Sequence, residues 1–450
     1  MLKRLLPPLL LLLLAAPAAS AQQSYEDDFF ARKSPTAYRY NPAILGETGY
    51  VGVLNFSLSS RANYGARNFL FEYGDEVVTA LHSSVSAEEF LGGLKPISST
   101  LQMVSLNIFS YGFRKDDAFH TFELNFNEFG ASSIARDFFE IAKTGFKKGR
   151  YDLGHTHFQF NGYAELAYGY SRRLSDIVSV GARAKLLVGL GSLHAGINRF
   201  NVDVESEDWT ADVSVDFEAT GRRRNPDDKP WKLTFDRKYY SRTPKRLSGA
   251  GLAFDLGVLI QPNEYLTLSA SANNLGFLCW SYGRGADLSA SFSLMSVLNC
   301  IQEHTTESLM ESLMNIGSDL MESVNYEKMD KTLRMRAIPF GFNLGIKYAM
   351  PFYDRLSLGL TGHYTLYDVL SYWETRLGLT VTPWDWLELS GSYGFGTYKS
   401  TYAFTAAAKV DHFRLTLSMQ DGFGGKVPGT SFHFWQFNRY VSLGLAYVLD

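Results

Sequence analysis

The chain has 450 residues, 43 of them Lys or Arg and 46 Asp or Glu, for a net charge of -3. That near balance excludes the strongly basic surface a nucleic-acid partner demands. After residue 21 there is no run of about 18 apolar residues, which excludes a bundle of membrane-spanning helices. Yet 15% of the residues are aromatic, with 33 Phe, 26 Tyr and 39 Gly, an excess that suits β-structure with Tyr and Trp at a lipid–water boundary.

In chain order, Lys3 and Arg4 precede the apolar run Leu5 to Leu14, and Ala19-Ser20-Ala21 offers small residues for cleavage before Gln22. Residues 1–21 therefore read as a secretory signal peptide, too short an apolar run for an anchor. Residues 22–49 follow, with Ser34-Pro35 and Asn41-Pro42-Ala43, where each Pro fixes a turn and keeps the residue before it non-helical.

From residue 50 onward the dominant signal is alternation with period two. In 119–127, Phe122, Leu124 and Phe126 alternate with Glu123, Asn125 and Asn127. In 158–170, Phe158, Leu166, Tyr168 and Tyr170 oppose Gln159, Asn161 and Glu165. In 177–190, Val178, Val180, Ala182, Ala184 and Leu186 oppose Ser179, Gly181, Arg183 and Lys185. Such segments fall near 50–59, 101–113, 119–128, 155–171, 177–190, 250–260, 265–275, 334–350, 355–367, 371–382, 386–397, 401–410, 413–420 and 431–449. Many match the roughly 9 to 11 residues a tilted strand needs to cross a bilayer, whereas soluble strands are nearer 5 or 6. The expected fold is all-β: a transmembrane antiparallel β-barrel of about fourteen strands over residues 50–450. The count rises to sixteen if an alternating hairpin within 191–249 also crosses.

Short connections, such as Arg114–Ala118, Arg172–Asp176 and Gln261–Glu264, alternate with long ones at 60–100, 129–154, 191–249, 276–333 and 421–430. That asymmetry predicts periplasmic turns and extracellular loops. Two loops carry short amphipathic helices, at 132–144 and at 303–325. The second presents Met310, Met314 and Met321, a lid over the barrel mouth or a surface for an apolar ligand.

No P-loop, G-x-S-x-G or H-E-x-x-H motif occurs, so neither enzymatic activity nor a cofactor is expected. His155 and His157 lack two further metal ligands, so no metal site is expected. Glu123, Glu165, Arg183 and Lys185 fall on the lumen face, because charges facing lipid are costly. They predict an ion-paired interior or a selectivity lining. Arg222, Arg223 and Arg224 in a long loop read as a solvated run or as a contact for lipopolysaccharide phosphates. Cys279 and Cys300 read as members of one surface loop, either disulfide-bonded or two buried thiols.

The C-terminal Ser442, Gly444, Tyr447 and Leu449 resemble the signal read by barrel-assembly machinery, although Asp450 departs from its aromatic ending. Together with Asn41-Pro42-Ala43 and Asn274-Leu275-Gly276, read as a strand end, the mature chain resembles a family of Bacteroidota outer-membrane barrels of unknown function (DUF5723-like). It is similar more distantly to FadL-type fatty-acid channels and to PorV- and PorP-like barrels of secretion. The FadL-type resemblance implies that residues 22–49 plug the lumen, anchored by Asn41 and Pro42. It further implies a bacterial outer-membrane protein acting as a passive channel for a small hydrophobic or amphipathic compound. The other expectation is a structural or secretion-associated barrel that holds surface or secretion-system proteins through its loops. Partners expected on either view include outer-membrane lipid, lipopolysaccharide and the assembly machinery.

Overall fold

The computed structural model describes residues 29–30, 34–73, 76–204, 210–220, 248–280, 284–293, 334–367, 371–398, 400–421 and 438–449. The signal peptide, Arg222–Arg224, Cys300 and the 303–325 helix lie outside them.

Alternating side chains can satisfy two environments only if the backbone is extended and its polar groups are paired along both edges. The chain meets this demand by closing on itself. Its barrel strands are β1 (Tyr50–Ala62), β2 (Ile97–Lys115), β3 (Ala118–Ala135), β4 (Thr156–Arg173), β5 (Val178–Asp203), β6 (Gly249–Ile260) and β7 (Leu266–Trp280). They continue with β8 (Phe340–Met350), β9 (Tyr353–Leu366), β10 (Tyr372–Trp384), β11 (Leu387–Gly396), β12 (Thr401–Val410), β13 (Phe413–Gln420) and β14 (Arg439–Val448). Each pairs antiparallel with its neighbours, and β1 pairs with β14 from Tyr50↔Val448 to Ser60↔Arg439, so the fourteen-stranded wall has no open edge.

The hairpin expected within 191–249 does not add to that wall. Thr210–Ala219 pairs with the upper part of β5 and with Arg284–Ser293, extending the sheet beyond the barrel on the long-loop side. On the same side, the loop after β1 forms a hairpin (Leu70–Tyr73 with Glu76–Thr79) and helix α1 (Ala87–Gly92). These pack on helix α2 (Arg136–Thr144) around Phe69, Phe90 and Phe139, making a cap with its own apolar core.

Some expected boundaries move, each for a physical reason. The helix begins at Arg136, not 132, because β3 continues its ladder with β2 through Ala135. The expected strand 334–350 is two pieces, Arg334–Ala337 and Phe340–Met350, parted at Ile338-Pro339, where Pro offers no N–H to a ladder. Asn274-Leu275-Gly276 does not end a strand. Asn274 takes a positive φ of 61° as a bulge, and β7 runs on to Trp280. Consequently Cys279 does not lie in a surface loop. It sits within β7, in register with Ala250 and Met335, next to the outward Phe277 position on the wall. Its pairing with Cys300 falls outside the described residues.

Bulges also re-aim the faces. Extra residues at Ile108 in β2 and Leu190 in β5, like Asn274 in β7, swap the inward and outward sets along one strand. Below the bulge β7 turns Ser269, Ser271 and Asn273 inward; above it Leu278 and Trp280 take that place, both buried.

Candidate functional site: a lumenal segment latched over a charged layer

Every barrel strand exposes large apolar side chains on its outer face, among them Leu54, Leu166, Leu256, Leu344, Leu377 and Phe404, which are 51 to 68% exposed. Soluble monomers rarely expose apolar patches beyond a few hundred Å². A continuous belt on a closed barrel needs hydrocarbon against it. The inner face is the reverse: Ser57, Asn107, Glu123, Arg183, Lys185, Asp255, Thr361 and Arg376 are all buried.

Residues 29–30 and 34–49 occupy this interior. Tyr40, Asn41 and Ala43 are completely buried. The Asn41 amide Nδ2 donates to the Val258 carbonyl at 2.9 Å, to Ser269 Oγ at 2.7 Å and to the Ala270 carbonyl at 3.2 Å, while its Oδ1 accepts from Ala43 N–H at 2.8 Å. Asn41-Pro42 fits because Gly181 and Gly257 are cross-strand partners there. A Cβ on Gly257 would strike Asn41 Oδ1, and one on Gly181 would strike the Pro42 carbonyl. Further along, Phe29 lies over Gly345 and Phe30 over the paired Gly359 and Gly378. Each buried ring contributes about 1.5–3 kcal/mol by leaving water.

The wall also supplies polar clamps. Ser271 Oγ donates to the Tyr40 carbonyl at 2.6 Å, Asn273 Nδ2 to the Arg39 carbonyl at 3.0 Å, and Lys347 Nζ to the Phe30 carbonyl at 2.9 Å. These bonds satisfy carbonyls of a non-repetitive segment that would otherwise be orphaned.

Beside this segment lies a charged layer. Arg39 Nε donates to Glu123 Oε1 at 2.7 Å, Tyr38 Oη donates to the same oxygen at 2.8 Å, and Arg183 pairs with Glu123 Oε2. Arg183 and Lys185 each reach Asp255 Oδ2 at 2.8 Å, and Lys185 also donates to Asn274 Oδ1 at 2.6 Å. Burial first, and then the Glu123 carboxylate, hold the Tyr38 phenol well above its ordinary range, so it remains a donor. Glu165 joins through amides: Asn55 donates to Asn107 (2.9 Å), Asn107 to Asn125 (2.7 Å) and Asn125 to Glu165 Oε1 (3.0 Å), a ladder across four strands. The bulge at Leu54 leaves a gap in the β1–β14 seam, and Asn55 Oδ1 fills it by accepting Leu445 N–H at 2.6 Å.

Glu123, Arg183 and Lys185 thus come together, Glu165 stands one amide link away, and Asn41-Pro42 docks nearby on β5–β7. Sequence reasoning did not single out Tyr38, Arg39 or Asp255. Asp255 was legible as the one charge in the apolar run Gly251–Ile260. Arg39 carried no pattern signal. A second cluster was also not singled out. Glu374 on β10 binds Arg61 at 3.1 Å, pairs with Arg376 and accepts from Thr401 at 2.9 Å, all nearly solvent-free.

Toward the long-loop side the lumen turns aromatic. Phe129, Tyr163, Leu278, Trp280 and Tyr367 line a cavity of about 10 Å³, and the Phe129 and Tyr367 rings meet edge-to-face at 4.7 Å. A larger cavity of about 40 Å³ lies between Pro35–Arg39 and strands β1, β13 and β14. Neither exceeds room for a few water molecules. His157 stacks near His194 at 6.4 Å, and His194 pairs with Asp216 at 3.0 Å. Among the described residues no set of three or more His, Cys, Asp or Glu could hold a metal ion.

A closed antiparallel wall, an apolar exterior on every strand and a charged interior filled by the chain's own N-terminal segment define a membrane-spanning β-barrel. The chain belongs to DUF5723, a family of unknown function whose profile matches residues 42–419. Among solved structures it is similar to the Pseudomonas putida toluene transporter TodX (9% identity, TM-score 0.42, 92% of each chain covered). It is likewise similar to a Pseudomonas aeruginosa FadL homologue (12% identity, TM-score 0.43, 92% of this chain and 94% of that one). A further similarity is to the translocator domain of the Neisseria meningitidis autotransporter NalP (8% identity, TM-score 0.35, 94% of this chain and 96% of that one). A search of curated proteins returns no match.

Proposed function

We propose that this protein is a bacterial outer-membrane barrel that admits a small hydrophobic or amphipathic compound, with residues 22–49 as its plug. The supporting observation is the layering of the lumen. A general water-filled pore needs a continuous polar lining, whereas here the aromatic group around Trp280 lies on the long-loop side of the charged, plug-clamped layer. Such a sequence suits an apolar solute that docks against rings before the plug yields. Residues 34–49 fill the lumen among the described residues, so passage requires movement of the plug. The reading assigns the barrel no catalytic step.

Proteoliposome uptake tests it. Wild-type barrels should accumulate a monoaromatic or medium-chain amphiphile and exclude a similarly sized sugar. Trp280→Ala should lower uptake of the former. Equal exclusion of both compounds, with the plug present or deleted, would refute the transport reading. A second reading rests on the cap formed by the Leu70–Thr79 hairpin, α1 and α2, whose own core gives the long-loop face a fixed shape for protein partners. Stoichiometric co-purification of a surface protein that is lost on deleting the cap would favour it.

A further inference from the structure

The outer face of β2, β3 and β4 near the short turns differs from the rest of the belt. Register places Phe113 opposite His120 and His120 opposite Tyr170, so three rings form one row across three strands. Phe113 and His120 stack at 5.0 Å, and His120 meets Tyr170 edge-on at 5.4 Å. The next row toward the membrane centre, Tyr111–Phe122–Tyr168, is aromatic again, and the Tyr168 hydroxyl lies 2.8 Å from His120 Nδ1. The next row toward the turn is Lys115–Ala118–Arg172. Two exposed cations therefore flank a buried alanine, which puts no polar or bulky group between them. Among the described residues neither cation forms an ion pair. The acids nearby, Asp116, Asp117 and Asp176, are exposed in the two turns beyond that row. Elsewhere on the same rim the stacked Trp384 and Trp386 flank an acid, Asp385.

Depth decides what this row meets. Alternate residues are about 6.8 Å apart along a strand, and a tilt of about 40° reduces this to about 5 Å of depth. The interfacial zone on each side of the hydrocarbon is about 5–7 Å thick. If the ring rows mark that boundary, as aromatic girdles do, the cations stand one row outward, at the level of lipid phosphates.

We infer that Lys115 and Arg172, on either side of Ala118, form a docking site for one anionic phospholipid. Its phosphate is held between the heads of the two cations, and its acyl chains lie over the rings below. The occupant is a membrane lipid because the cation row adjoins the aromatic rows of the apolar belt, which a free phosphate would have no reason to approach. The site serves the barrel's outer face and is independent of whether the lumen transports anything.

The experiment is native mass spectrometry of the full barrel released from nanodiscs of mixed phosphatidylglycerol and phosphatidylethanolamine. Wild-type protein should retain phosphatidylglycerol selectively. Lys115→Gln and Arg172→Gln should each weaken retention about fivefold, and the double variant about twenty-five-fold, at about 1 kcal/mol per cation. Lys409→Gln, on the lumen side of the same rim, should change nothing. Folding is checked by the heat-dependent shift in gel mobility, and raised salt should strip the lipid from wild-type barrels in parallel. Retention of phosphatidylglycerol by the folded double variant, or equal retention of both lipids by wild type, would overturn the inference.

Discussion

The two buried charge clusters share a chemistry but differ in what completes them. The Glu374 cluster is built from the wall alone, with Arg61 from β1, Arg376 from β10 and a hydroxyl from β12. The Glu123 cluster is completed by the N-terminal segment. The wall supplies Glu123, Glu165, Asp255, Arg183 and Lys185, and Arg39 brings the third base to three acids. Withdrawing the segment leaves that layer one charge out of balance in a poorly solvated interior, where an unpaired charge is expensive. The difference shows how a barrel can hold a loop in its centre: the lumen is electrically incomplete without it.

The largest effect should come from removing the acid at each centre. Glu123→Leu and Glu374→Leu should each cost about 3–5 kcal/mol, because each strands buried guanidinium groups. Only Glu123→Leu should also expose residues 34–49 to limited proteolysis in detergent. Equal protection in both variants would break the comparison. Next, Gly257→Val drives a side chain into the place of Asn41 and should cost about 1–3 kcal/mol by overpacking. It should raise single-channel conductance in a planar bilayer, whereas Gly362→Val, at a position with open space around the missing Cβ, should leave conductance at the wild-type level. Asn41→Ala removes the amide that reaches two wall carbonyls and should cost about 1–2 kcal/mol in thermal melts, with the barrel itself intact.

The smallest effect sharpens the wall-only cluster. Burial holds the Asp421 carboxyl up at about 6, above its ordinary 3.8, with Arg61 and Arg376 only partly opposing. The folded state therefore keeps this proton where the unfolded chain releases it. Stability falls as pH rises from about 3.8 to about 6 and is flat beyond. Asp421→Asn keeps an oxygen for the Tyr402 N–H and should raise the melting temperature at pH 7.5 while changing little at pH 4. An equal gain at both values would mean that the acid is not penalised by burial.

The strands were legible because lipid and lumen impose opposite polarities on neighbouring residues. All fourteen expected segments overlap described barrel strands, and Glu123, Arg183 and Lys185 face inward as their alternation required. The bulges were not legible, since Ile108 and Leu190 look like ordinary apolar residues and only pairing with a neighbour reveals the extra position. That is why inward Leu278 and Trp280, and the strand position of Cys279, escaped a fixed two-residue period. The glycine recess was hidden for a related reason. Gly181 and Gly257 lie 76 positions apart, and nothing local says that the pair meets, or that Asn41-Pro42 fills the dent they make.

The seam between β1 and β14 has a consequence for assembly. Residues 34–49 are tethered directly to β1 yet bind β5 to β8, so their partners are synthesised long after they are. The cylinder cannot shut until the last ten-residue strand arrives to meet the first. Tyr50 pairs with Gly112 beside the short turn, so the leading portion joins the barrel at that rim, opposite the cap. Docking of the N-terminal portion and closure of the ring both join distant parts of the sequence, and such long separations slow folding.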